Sequence, residues 1–261
     1  MKKTFIAISL VILVACGSVK TKTASSPENQ DHLILATLWY QRSAEMRALY
    51  LQCYHNAETA LAENIKKSPA NKPFAVVMDI DETVLDNSPF QGWQVLEKKP
   101  FSDAEWNRWV SLSKAEALPG AVEFTRFADS LGVDIYYISN RKTPELEATL
   151  KNMTALGFAN ADASHMLFKT ETSSKINRRS EVEKTHEIVL LVGDNLADLD
   201  AVFEKRPDNF GMSNVDSLKN RFGTRYIVLP NPMYGNWLSE ILKQTPGATD
   251  REKLLKRIQG F

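Results

Sequence analysis

Apolar residues first show a clear period between Asp31 and Lys67. Leu35, Leu38, Trp39, Met46, Leu49, Tyr50 and Cys53 recur at three- and four-residue steps, which predicts helix. Ser68-Pro69-Ala70-Asn71-Lys72-Pro73 ends that pattern. The run Phe74 to Met78 is short, apolar and partly β-branched, the mark of a strand buried on both faces. Later segments alternate in kind. A helix is expected from Pro119-Gly120-Ala121 through Asp129, a strand over Asp134 to Ser139, and a helix over Glu145 to Leu156 ending at Gly157. A short strand within Ala163 to Phe168, a helix opening at Lys175-Ile176, and strands over Glu187 to Val192 and Tyr226 to Pro230 follow. Pro207 to Gly223 reads as polar and irregular, and residues 247–261 as a charged terminal helix. Helix and strand in this order predict an α/β fold with a parallel sheet covered on both faces.

The stretch between Asp86 and Leu118 interrupts that rhythm. Pro89-Phe90-Gln91-Gly92-Trp93 is aromatic and turn-rich. Ser102 with Glu105 fits a capping box before a helix that carries Trp106 and Trp109. The insertion, about 87–118, reads as a lid over the sheet edge. With the N-terminal helices it forms a smaller, mostly helical cap, and the main domain runs over residues 31–261.

The N-terminus adds a different kind of pattern. Met1-Lys2-Lys3 is basic, and the apolar segment Phe5 to Ala15 is too short for a stable span with these flanks. It ends in Leu13-Val14-Ala15-Cys16-Gly17, which resembles the lipobox of bacterial lipoproteins. That resemblance implies removal of residues 1–15, acylation of Cys16, and a flexible polar tether over 16–30. Ser18 and the absence of Asp just after Cys16 imply the outer membrane. Cys53, the other cysteine, reads as a small buried side chain. The 261 residues carry 32 basic and 32 acidic side chains. That balance gives no sign of a nucleic-acid-binding surface.

Candidate chemistry centres on Asp79-Ile80-Asp81-Glu82-Thr83-Val84-Leu85-Asp86-Asn87. A carboxylate is costly to bury unless paired or metal-bound. Asp79 therefore belongs where the first strand opens to solvent, the edge at which α/β sheets bind ligands. Asp81, two residues on, can share that crevice, and a hard divalent cation such as Mg²⁺ suits the pair. A turn or helix cap is the alternative local reading. Ser139-Asn140-Arg141 ends the second strand, 60 residues after Asp79. A hydroxyl there can hold a phosphate oxygen. Gly193-Asp194-Asn195-Leu196-Ala197-Asp198 follows the next long strand, with Gly193 allowing a tight turn. Asp194 stands 115 residues after Asp79.

The stretch from Asp79 to Asn87 resembles the DxDxT/V motif of the haloacid-dehalogenase-like phosphatases, and its longer form resembles the signature of class C bacterial acid phosphatases. The resemblance covers Asp31 to Trp237 and implies a Rossmann-like core. It implies Asp79 as nucleophile, Asp81 as general acid/base, and Ser139 as a phosphate ligand with Asn140 and Arg141 beside it. The third-motif lysine matches Lys175 through Ser-x-Lys, with Lys169 as the other candidate. Asp194 and Asp198 match the GDxxxD motif. One Mg²⁺ would be held by Asp79, the backbone carbonyl of Asp81, and Asp194. Trp106 and Tyr234 match aromatic residues that sandwich a substrate ring, while Trp109 has no such match and is expected in the core. Phe90 and Leu199 depart from the family signatures, which have Tyr and Phe there. The implied activity is hydrolysis of phosphomonoesters, including 5′-nucleotides, with an acidic optimum. Competing readings are a dehalogenase, a phosphotransferase using the same residues, and a non-enzymatic surface adhesin. Expected partners are nucleoside monophosphates, the membrane through the lipid anchor, and a second copy in a homodimer.

Overall fold

The computed structural model describes residues 30–69 and 71–261. The expected leader over 1–15, Cys16 and nearly all of the tether lie outside them. The strands are β1 (Phe74–Met78), β2 (Leu85–Asp86), β3 (Glu116–Ala117), β4 (Asp134–Lys142), β5 (Met166–Lys169), β6 (Glu187–Gly193) and β7 (Tyr226–Val228). The helices are α1 (Ile34–Arg42), α2 (Ala44–Lys67), α3 (Ser88–Glu97), α4 (Asp103–Ser111) and α5 (Ala121–Ser130), then α6 (Leu146–Leu156), α7 (Ile176–Thr185), α8 (Met212–Ser217), α9 (Asn236–Gln244) and α10 (Asp250–Leu255).

Five strands form one parallel sheet in the order β5-β4-β1-β6-β7. The chain leaves β1 toward one edge, then returns to its other side, so β1 sits at the topological switch point. Alternation along β1 divides the interior. Val76 and Met78 join the core shared with α2 and α5, while Ala75 and Val77 join the core shared with Val182 of α7. Helices thus cover both faces, as the apolar strand required. A bulge opposite Ala75/Val76 lets Val189 and Leu190, successive residues of β6, both enter the first core.

The N-terminal helical segment is broken at Ser43, whose backbone is extended and whose hydroxyl accepts from Met46 N at 3.0 Å. Helix α2 then buries Met46, Tyr50, Tyr54, Ala57 and Leu61. This corrects the expected stripe: Leu35 and Leu38 are 80% and 51% exposed, and Leu49 is exposed too. The tyrosines take the inner face because their hydroxyls find carbonyls there, described below. Pro89-Phe90-Gln91 also departs from expectation. It lies in helix α3 rather than a turn, since Pro is tolerated in a first helical turn. Ser102 caps α4 by accepting from Glu105 N at 3.3 Å. The Glu105 carboxylate pairs with Arg108 at 2.7 Å. β2 and β3 pair antiparallel at the base of this insertion, Leu85 with Ala117 and Asp86 with Glu116. The C-terminal helix is shorter than expected, and α9 was not anticipated.

Candidate active site

Asp79 directly follows β1 and its backbone N donates to Val192 O at 3.0 Å, continuing the sheet for one residue. The next six residues fold back tightly. Ile80 O accepts from the backbone N of Val84 at 2.9 Å and of Leu85 at 3.0 Å. Glu82 adopts φ 56°, a left-handed conformation that side-chain-bearing residues seldom hold without support. Support comes from α2: Tyr50 Oη donates to Glu82 O and Tyr54 Oη to Thr83 O, both at 2.6 Å. The N-terminal helix therefore fastens the turn that carries Asp79 and Asp81.

Asp79, Asp194 and Asp198 offer carboxylate oxygens that all lie within 4.8 Å of one another. Lys175 enters from the start of α7, almost fully buried. Its Nζ pairs with Asp79, and with Asp198 Oδ1 at 2.7 Å. Of the two lysines weighed, Lys175 is the one that reaches Asp79; Lys169 ends β5 opposite Lys142. Asp194 is held by Asn231 Nδ2 at 2.8 Å and by Thr83 Oγ1 at 3.3 Å. Burial pushes the Asp79 carboxyl up to about 7, against the pull of Lys175. Burial also drives Asp194 well above the carboxylate range. Burial opposes the Lys175 ammonium, yet Asp198 and Asp79 raise it above an ordinary lysine.

Three carboxylates thus face one ammonium. Close like charges disfavour ionisation unless a cation joins them. The cluster is an oxygen-only donor set, which suits a hard divalent cation. Gly193 is needed here, but not for a left-handed turn: a Cβ on it would lie 2.6 Å from Asp198 Cβ and 2.7 Å from Asp198 Oδ2.

Asp81 is built differently. Its carboxylate is outside the Asp79–Asp194–Asp198 group. Oδ1 accepts from Arg141 Nε at 2.9 Å, Arg141 Nη2 at 2.8 Å and Asn87 Nδ2 at 2.8 Å. Oδ2 accepts from Ser139 Oγ at 3.3 Å. The side chain keeps 18% of its surface open. Arg141 itself is buried, with Nη1 donating to Thr149 Oγ1 at 2.8 Å. It holds Asp81 directly. Asn140 is exposed and accepts from Arg178 Nη2 at 2.7 Å.

The aromatic residues lie on two separate elements. Trp106 of α4 is half-buried, packs edge-on against Phe90 at 5.2 Å between centroids, and has the Arg141 guanidinium 5.6 Å above it. Phe90, the departure from the family signature, is thus the floor of this aromatic group. Tyr234 is half-buried against the main core beyond β7. Cys53 is free and half-buried, with its thiol pushed up by burial. Among the described residues the metal-capable group contains no histidine.

Residues 2–237 match the family model for the HAD superfamily, subfamily IIIB (acid phosphatase). The chain belongs to this family. The class C acid phosphatase of Bacillus anthracis is 39% identical, with a TM-score of 0.83, over 90% of this chain and 99% of that one. The same enzyme with tungstate bound gives 38% and 0.83. Acid phosphatase 1 of Solanum lycopersicum is 28% identical over 167 residues, 60% of this chain and 57% of that protein. The stem 31 kDa glycoprotein of Glycine max is 27% identical over 164 residues, with 60% and 58% covered. The match thus spans less than two thirds of these two plant relatives.

Sequence reasoning missed several residues of this acid phosphatase family site. Glu82, Asn87, Thr83, Asn231 and the two α2 tyrosines all touch atoms of the Asp79–Asn87 turn or of Asp194. Glu82 and Asn87 lie within the quoted motif, where two acidic or amide residues beside Asp81 were the available signal.

Proposed function

We propose that this protein is a metal-dependent acid phosphatase that hydrolyses phosphomonoesters. The observation that carries the reading is the Asp79 carboxylate at the end of β1, at the switch point, against Lys175. Asp79 Oδ attacks phosphorus, forming an aspartyl-phosphate as the bond from phosphorus to the leaving oxygen breaks. Asp81 gives its proton to that oxygen. Water then attacks the aspartyl-phosphate, Asp81 takes the water's proton, and the Asp79 carboxylate leaves. Lys175 and Ser139 are assigned to the phosphate oxygens, and Asp198 to holding Lys175. Asp79, Asp194 and the Asp81 carbonyl would hold a Mg²⁺, which would supply positive charge beside phosphate and nucleophile. A panel of phosphomonoesters assayed with Mg²⁺ and with EDTA tests this. Release that needs Mg²⁺ and stops with EDTA supports it; release indifferent to both contradicts it.

The same proposal places a nucleoside base against Trp106 and Tyr234, with Asn140 and Arg141 lining the phosphate end, which makes 5′-nucleotides substrates. It anchors the protein in a bacterial outer membrane through acylated Cys16, on the strength of the Leu13–Gly17 pattern. Cys16→Ser should leave the protein in the soluble fraction; equal palmitate incorporation into both forms refutes the assignment to Cys16. Exposed Leu35, Leu38 and Leu49 support a homodimer. Sedimentation as a monomer removes it.

A further inference from the structure

Helix α4 carries two tryptophans, and the second reaches the acid by one intermediary. Trp109 Nε1 donates to Asn87 Oδ1 at 2.8 Å. An indole N–H only donates, so the atom facing it must be the amide oxygen. The amide nitrogen is then fixed on the opposite side, where it donates to Asp81 Oδ1 at 2.8 Å and to Leu85 O at 3.4 Å. Arg141 Nη2 also donates to Asn87 Oδ1, at 3.3 Å. Asn87 is fully buried, and its own backbone N donates to Glu82 Oε1 at 2.8 Å. Its amide has every donor and acceptor engaged, which is how a buried polar group comes to hold one orientation.

We propose that Trp109 is a positioning residue: its indole N–H locks the Asn87 amide so that the NH₂ aims Asp81 at the leaving oxygen. The proposal rests on the reading of Asp81 as the acid that protonates that oxygen. Packing does not require the N–H, since a phenyl ring fills most of the same space. Without it, the Asn87 oxygen keeps only the 3.3 Å contact from Arg141 Nη2, and the amide can tilt and take its NH₂ off line with Asp81 Oδ1. The lid helix α4 thereby joins substrate enclosure to the setting of the acid, because Trp106 lies one turn before Trp109.

The test uses two substrates with nearly the same ring but unequal leaving groups. Phenol, with a pKa of about 10, needs the acid more than p-nitrophenol does. kcat/KM reports phosphoryl transfer to Asp79 even where the second step limits turnover. Trp109→Phe should lower kcat/KM on phenyl phosphate up to about tenfold more than on p-nitrophenyl phosphate, the worth of one neutral buried hydrogen bond. Asn87→Leu, which removes the amide NH₂ without adding a charge beside Asp81, should show the same selectivity. Asp81→Asn serves as the reference and should show it most strongly. Equal losses on both substrates, no loss, or loss of fold in Trp109→Phe overturns the positioning role. An Asp81→Asn variant without selectivity overturns the acid reading itself.

Discussion

Gly193 and Asp198 are in such close approach that no side chain fits between them: a Cβ at Gly193 would stand 2.6 Å from Asp198 Cβ. Asp198 in turn holds Lys175 at 2.7 Å, and Lys175 holds Asp79. The glycine of the GDxxxD motif therefore sets the position of the ammonium, two side chains away. Gly193→Ala should lower turnover at least tenfold, since small misplacements of catalytic groups carry large costs. The measurement is kcat on p-nitrophenyl phosphate beside a circular dichroism spectrum. Wild-type turnover would show that the loop relaxes without moving Lys175.

Metal binding should depend on pH in a stated direction. Burial lifts the Asp79 carboxyl to about 7, above the usual value of about 3.9 for an unfolded Asp. Between these values the metal-free fold holds the extra proton. Its stability therefore falls as pH rises from about 4 to about 7 and levels beyond that. A divalent cation needs the carboxylate ionised and displaces that proton. Mg²⁺ affinity should thus rise about tenfold per pH unit up to about 7, more steeply if Asp194 joins in. Titration calorimetry from pH 5 to 8 reads this; an affinity independent of pH contradicts it.

Much of the core was legible because its physics is local. A strand buried on both faces reads as an uninterrupted apolar run, so Phe74–Met78 identified β1 and placed Asp79 at its end. Asp194 followed directly after β6 and Lys175 directly before α7, while Ser139 lies inside β4, which runs three residues past its expected end, to Lys142. The face of α2 was not legible in the same way. Tyr50 and Tyr54 occupy it, leaving Leu49 exposed, because their hydroxyls satisfy carbonyls of the turn at Glu82 and Thr83. Those partners lie some 30 residues along the chain. Asn87 stood inside the motif, but its role was not legible for the same reason: Trp109 and Arg141, which define it, are 22 and 54 residues away. α3 escaped notice because Pro89 and Gly92 mark turns in most contexts.

Ring stacking can be separated from catalysis. A base stacked on an aromatic side chain gains about 1–3 kcal/mol. Trp106→Ala and Tyr234→Ala should each lower kcat/KM on adenosine 5′-monophosphate about tenfold, mainly through KM. p-Nitrophenyl phosphate, with less area to stack, should lose less. Equal losses on the two substrates would indicate damaged packing of α4 against Phe90 instead. Unchanged kinetics on both would exclude these rings from substrate binding.

The central claim is that Asp79 is the nucleophile. Asp79→Asn keeps the size of the side chain and leaves Lys175 its second partner, Asp198, so the fold should survive. The direct measurement is phosphate release by purified Asp79→Asn in Mg²⁺, with circular dichroism on the same sample. The account predicts a native spectrum and turnover at the level of the uncatalysed reaction. Near-normal turnover in a folded variant would contradict it.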